Sequence, residues 1–151
     1  MRYRDKHITA RFMQMIFITA FLFMIVTPAI AETHDKQAAT NPVTAETGPD
    51  GVQRLEITMD SYSFTPAHII VQSGKPVEFI LKNVAFLAPH NFRIDASADG
   101  LFLDKDVEPG KIATLSFLPV KPGAYEFYCD KKLPFLPGHR DKGMTGKLEI
   151  R

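Results

Sequence analysis

Cysteine is almost missing from this chain: Cys129 is the single one among 151 residues. No disulfide can close within the chain, and four-cysteine zinc or iron–sulfur sites are excluded. A binuclear copper centre, which needs two cysteines, is excluded as well. Five histidines are too few for a centre holding several copper ions. Charge of one sign is also lacking. There are 18 basic and 17 acidic residues, net +1, which gives no extended nucleic-acid surface. No apolar run reaches the roughly 20 residues that a membrane span needs. No internal repeat is visible, and no long 3.6-residue period survives beyond the first 31 positions. Apart from its metal-capable residues the chain shows no acid/base or nucleophilic constellation, which argues against ordinary hydrolytic catalysis.

What is present is an ordinary globular balance, 45% hydrophobic and 23% charged, at a one-domain length. Residues 1–31 read as a secretory signal. Arg2, Arg4, Lys6 and Arg11 form a basic leader, an apolar run extends from Phe12 to Val26, and Ala29-Ile30-Ala31 is a small-x-small cleavage site before Glu32. No arginine pair marks the twin-arginine route. Cleavage leaves a chain exported to the periplasm with no stable membrane insertion. The leader carries four of the basic residues and one of the acidic ones, so the remainder has net charge −2. It also removes four of the six methionines and leaves Met59 and Met144. Residues 32–51 are polar and punctuated by Pro and Gly, and read as a flexible linker.

Residues 52–151 form the domain. Leu55–Met59, Asn91–Ile94 and Ile112–Phe117 alternate apolar and polar side chains, and His68–Val71, Val77–Lys82, Ala124–Cys129 and Lys147–Ile150 are further strand-like runs. Gly74-Lys75-Pro76 and Lys121-Pro122-Gly123 are turn signals. Period two, β-branched and aromatic enrichment and regular turns predict an all-β sandwich. A short helical turn is possible between Pro134 and Lys142. Asp95-x-Ser97-x-Asp99-Gly100 partly imitates a calcium-binding loop, but its flanks read as strands and no glutamate closes it, so an acidic surface loop is expected.

Four residues carry the chemistry. His90 opens a strand, Cys129 ends one, His139 lies in the loop after it, and Met144 follows five positions later. Two imidazoles, a thiolate and a thioether suit one copper ion cycling between two oxidation states, with methionine as a long axial ligand. Each residue has a plainer reading. A buried cysteine is often only a small hydrophobe, yet an unpaired thiol in an oxidising compartment is a liability unless something occupies it. Met144 sits in turn chemistry, between Gly143 and Thr145-Gly146, rather than in an apolar strand. His68 lies in an apolar run and reads as structural or edge-exposed, and His34 falls in the linker.

From Leu55 to Arg151 the chain resembles the cupredoxins, the small blue-copper family that includes plastocyanin, azurin and rusticyanin. The resemblance rests on Phe64-Thr65-Pro66 with Ile70-Val71, Gly74–Phe79, Asn83, Pro89-His90-Asn91-Phe92, Pro122-Gly123 and Tyr125-x-Phe127-Tyr128-Cys129. It implies a Greek-key sandwich with a mononuclear type 1 copper. His90, Cys129 and His139 would be equatorial ligands and Met144 axial. Asn91 would tie the two ligand segments together by hydrogen bonds. The sequence departs from the family in one place. Nine residues, Asp130–Gly138, separate Cys129 from His139, where plastocyanin-like and azurin-like chains have two to four. That insertion is long enough to form a lid over the metal.

The leading expectation is a monomeric, non-enzymatic electron carrier that meets a redox partner protein by transient docking. Electrons would leave through an exposed histidine ringed by the apolar residues Phe86, Leu87, Pro89, Leu133, Pro134, Phe135, Leu136 and Pro137. A locally basic stretch, Lys131, Lys132, Arg140, Lys142 and Lys147, would favour an acidic partner, or would merely solvate the loop. Two alternatives are a periplasmic copper-binding or delivery module and an accessory protein for metal oxidation and uptake. The closed donor set favours retention of copper over delivery. The acids between Asp95 and Glu108 lie away from the ligand loop in sequence, which weighs against oxidation of ferrous iron.

Overall fold

The computed structural model of the protein describes residues 41–151. The expected secretory leader and the first part of the expected linker lie outside the described residues. Among those described, eleven strands follow one another: β1 (Val43–Thr44), β2 (Glu46–Thr47), β3 (Gln53–Asp60), β4 (Ser63–Thr65), β5 (His68–Val71), β6 (Val77–Asn83), β7 (His90–Ala96), β8 (Leu101–Val107), β9 (Ile112–Phe117), β10 (Gly123–Tyr128) and β11 (Thr145–Ile150). No described helix is long and apolar enough to cross a membrane.

The strands form two mixed sheets. One has the order β1-β5-β11-β10-β7-β8; the other runs β2-β3-β6-β9, with β4 paired to β3. The chain is all-β, as the alternating pattern predicts. In β6 the residues Val77, Phe79, Leu81 and Asn83 point inward, and their intervening neighbours are more exposed. Side chains that alternate in this way can bury one face of a sheet against its partner. Phe92 and Phe127 stack between the sheets at 4.7 Å, and Phe64 and Phe79 meet them edge-on. Truncating one such ring to alanine costs about 3–5 kcal/mol. Met59 is fully buried in this core, which accounts for one of the two remaining methionines.

The core is closed tightly beside the ligand segments. A Cβ on Gly146 would lie 2.2 Å from Phe127 Cζ and 2.7 Å from the Ala67 carbonyl oxygen. Only glycine lets β11 approach β10 here, at the pair Phe127–Gly146.

Three segments differ from the sequence-based expectation. The stretch read as linker contains β1 and β2, which pair with β5 and β3 and so belong to different sheets. Ala45 between them is buried, and its amide donates to the Ile70 carbonyl at 3.0 Å. These strands are held by backbone pairing at sheet edges and expose their side chains, so hydropathy gives no signal for them. Leu101–Val107 is a full strand: Leu101, Leu103 and Val107 face inward while Phe102, Asp104 and Asp106 face out. The calcium-like motif is, as expected, an acidic surface loop between strands: the β7–β8 connection, a 3-10 turn at Ser97–Asp99 closed by Gly100 with φ 73°. The region between Pro134 and Lys142 is a series of turns without a helix.

Candidate metal centre

The sheet order brings the four ligand candidates to one end of the sandwich. His90 is the first residue of β7, Cys129 follows the last residue of its neighbour β10, and Met144 precedes β11 on the other side of β10. His90, Cys129 and Met144 are fully buried, and His139 is only 8% exposed.

Both histidines turn Nδ1 toward the thiol. The two Nδ1 atoms lie 3.1 Å apart, Cys129 Sγ lies 3.4 Å from His139 Nδ1, and Sγ lies 3.8 Å from His90 Nδ1. These separations suit donors that share one ion at bond lengths of roughly 2.0–2.3 Å. Sulfur and imidazole together favour copper or zinc over the hard cations. The backbone brings Met144 to the same place: the Cys129 amide donates to the Met144 carbonyl at 3.1 Å, and the Met144 amide donates to the His139 carbonyl at 3.0 Å.

Burial dictates protonation. It lowers the His90 pKa from 6.5 to about 4, with the neighbouring His139 adding to the effect. Burial lowers His139 as well, assisted by Lys142. Both imidazoles are therefore neutral near pH 7, the form that can bind a metal. The Cys129 thiol is pushed up by burial, against the pull of the Asn91 and Lys131 amides. A bound cation would offset that burial by stabilising the thiolate. His90 Nε2 is buried without a hydrogen-bond partner among the described residues. With Nδ1 used as a ligand, Nε2 carries the proton of the neutral ring.

Asn91 locks the two ligand segments, as the resemblance implies. Its amide N–H points at Cys129 Sγ over 3.4 Å. Its side chain donates to Asp104 (2.9 Å) and Asp130 (3.0 Å), and accepts from the Asp130 amide at 3.0 Å. Arg93 completes the network through Asp104 at 2.7 Å and Asp130 at 3.5 Å. The acids of β8 thus come close to the cysteine loop in space, and their distance in sequence does not argue against metal oxidation. Asn83 holds the approach to His90: its amide donates to the Ala88 and Val107 carbonyls, both at 2.9 Å, and its carbonyl oxygen accepts from the Ala85 amide.

The long loop after Cys129 is anchored by hydrogen bonds at its C-terminal end. The His139 amide donates to the Lys131 carbonyl at 2.8 Å, and the Gly138 amide donates to Asp141 at 2.9 Å. Leu133, Phe135 and Leu136 point to solvent. The basic stretch is largely paired within the chain: Lys131 with Asp106, Arg140 with Glu126, and Lys147 with Glu149. His68 lies apart from the cluster, 3.2 Å from Glu149.

Residues 15–139 match the sequence pattern of the Cupredoxin-like domain family. The chain belongs to that family, and its buried His-Cys-His-Met group fits a type 1 copper site. The match stops at His139, so the place of Met144 rests on the geometry.

Among curated relatives, the copper-containing nitrite reductase of Cereibacter sphaeroides (strain ATCC 17025 / ATH 2.4.3) is 28% identical over an alignment of 142 positions, which covers 83% of this chain and 37% of the relative. The copper-resistant cuproprotein CopI of Rubrivivax gelatinosus is 29% identical over an alignment of 110 positions, which covers 63% of this chain and 64% of the relative. The chain therefore spans less than two thirds of either.

Two solved structures share the fold. The metal-binding domain of the Streptococcus pneumoniae D39 Cu(I)-exporting P-type ATPase CopA, solved with Cu(I), has a TM-score of 0.56 at 21% identity, covering 74% of this chain and 97% of that one. Auracyanin A, a "blue" copper protein of Chloroflexus aurantiacus, has a TM-score of 0.52 at 18% identity, covering 67% and 100%.

Proposed function

We propose that this protein is an exported, periplasmic one-electron carrier that keeps one copper ion through both oxidation states. His90, Cys129 and His139 are the equatorial ligands in this reading, and Met144 is the axial one. The observation that carries it is the closed, prearranged donor set. Three donor atoms stand within 4.8 Å of one another, and the backbone around them is fixed by the Cys129–Met144 and Met144–His139 hydrogen bonds. Copper bound there supplies exchange of one electron between Cu(I) and Cu(II). The chain's part is to hold both imidazoles neutral, point two amides at the thiolate, exclude water and resist rearrangement when the charge changes. A rigid site needs little reorganisation, which suits a carrier with no substrate of its own.

The partner in this reading docks transiently. With most of the basic stretch paired internally, exposed apolar side chains such as Phe86 and Leu87 supply the contact, and charge supplies little. The protein acts as a monomer. The test is cyclic: one equivalent of copper is reduced with ascorbate and reoxidised with ferricyanide in the presence of a competing chelator. Copper kept over repeated cycles supports the carrier. Copper lost to the chelator on reduction contradicts it.

Copper handling is the second reading, and the likeness to the copper-resistant cuproprotein favours it. It predicts that loss.

A further inference from the structure

The ring that covers His139 comes from elsewhere in the chain. Tyr62 stands edge-on to the His139 imidazole at 5.0 Å between centroids. Lys142 holds Tyr62 from outside: its ammonium lies 4.2 Å from the ring centroid and donates to the phenol oxygen at 3.0 Å. Tyr62 is 37% exposed and His139 only 8%, so the tyrosine faces solvent in front of the imidazole. Beside it opens a pocket of about 240 Å³ whose wall includes Ser61, Tyr62, Phe86, Leu87 and His90. One aromatic ring therefore covers one histidine and borders the path toward the other.

The backbone under Tyr62 is unusual for such a residue. Asp60 pairs with Ser63, leaving Ser61 and Tyr62 as a two-residue hairpin turn. Both have positive φ, 22° and 70°. Turns of this kind ordinarily take Asn-Gly or Asp-Gly, because glycine reaches positive φ without a Cβ clash. A tyrosine there is costly to the fold, and strain of this sort gathers at working sites.

We propose that Tyr62, braced by Lys142, is the gate of the metal site and controls access of external molecules to His139 and to the bound ion. This rests on reading the cluster as a copper site, but the shielding of His139 is a property of the chain with or without metal. The long loop between Cys129 and His139 sets the position of the histidine, and the β3–β4 hairpin closes it.

The test uses Tyr62→Gly, Tyr62→Phe and Lys142→Gln in the full protein. Glycine removes the ring and relaxes the positive φ, so the hairpin keeps its shape and the thermal midpoint does not fall. The first readout is metal-free: carbethoxylation of His139 by diethyl pyrocarbonate, followed by mass spectrometry of its peptide. Tyr62→Gly should react at least tenfold faster than the parent, Tyr62→Phe within threefold of it, and Lys142→Gln in between. The second readout is transfer of bound copper(I) to excess bicinchoninate, which should follow the same order. An unchanged His139 rate in Tyr62→Gly overturns the gate. So does equal acceleration in Tyr62→Phe and Tyr62→Gly, because the ring would then play no part. A parent protein that takes up no copper while His139 still becomes reactive in Tyr62→Gly would sink the copper reading and leave the gate standing.

Discussion

Replacing Asn91 with alanine should unlatch the site without removing a ligand. The side chain is 1% exposed and makes three hydrogen bonds, two to carboxylates and one from the Asp130 amide. Bonds to charged groups are worth about 1.5–3 kcal/mol and neutral ones about 0.5–1.5 kcal/mol. Asp104 and Asp130 are about one third and two fifths exposed, so water recovers part of their loss, and about 1 kcal/mol per bond is the realistic share. The expected cost is about 3 kcal/mol. For a domain near 100 residues that is a fall of roughly 12 °C in Tm, at about 4 °C per kcal/mol. Thermal unfolding of the copper-free protein measures it. Asn91→Asp provides the sharper comparison. It keeps the acceptor for the Asp130 amide but places a third carboxylate against Asp104 and Asp130. Repulsion raises the folded-state pKa of the introduced carboxylate, so the stability deficit is full at pH 7, shrinks as pH falls through that raised pKa, and is gone below about 4. A loss under about 1 kcal/mol for Asn91→Ala, or an aspartate variant as stable as the parent at pH 7, would refute the latch.

Further outcomes follow from the same geometry. Copper-free protein should lose stability as pH falls from 6.5 toward 4, because the unfolded chain takes a proton on His90 that the folded chain refuses. That lowering corresponds to about 3 kcal/mol, and denaturant titrations should show that segment missing in His90→Gln. Gly146→Ala should cost about 1–3 kcal/mol through overpacking against Phe127, read from the denaturation midpoint at unchanged m. In Met144→Leu the loss of the fourth donor should disfavour Cu(II), which prefers the higher coordination number, more than Cu(I), while the harder oxygen donor of Met144→Gln should favour Cu(II). Voltammetry should show the leucine potential higher by about 59 mV for each tenfold change in relative affinity, and the glutamine potential lower.

The parts of this molecule legible in sequence are those where side chains carry the signal. β6 and β7 declare themselves by alternation, and the cluster declares itself because a lone cysteine, two histidines and a turn-bound methionine have few joint explanations. Backbone-driven features stayed hidden. β1 and β2 are polar edge strands held by the ladder alone, and β8 was obscured by its outward-pointing acids, Asp104 and Asp106, next to the calcium-like loop. Spatial proximity was the other blind spot. Asp104 lies 13 positions from Asn91 and bonds to it, and Tyr62 lies 77 positions from the histidine it covers. The one local clue to Tyr62 was a Ser-Tyr pair between two aspartate- and serine-bearing strand ends, where a hairpin turn would ordinarily carry glycine.

The most direct test of the copper assignment is visible absorption of the purified protein with one equivalent of copper(II), beside Cys129→Ser. An intense blue thiolate-to-copper band that bleaches with ascorbate, returns on oxidation and is absent from the serine variant is the predicted result. A parent protein with no such band, or a serine variant that keeps it, would contradict the Cys-His-His-Met site on which the account depends.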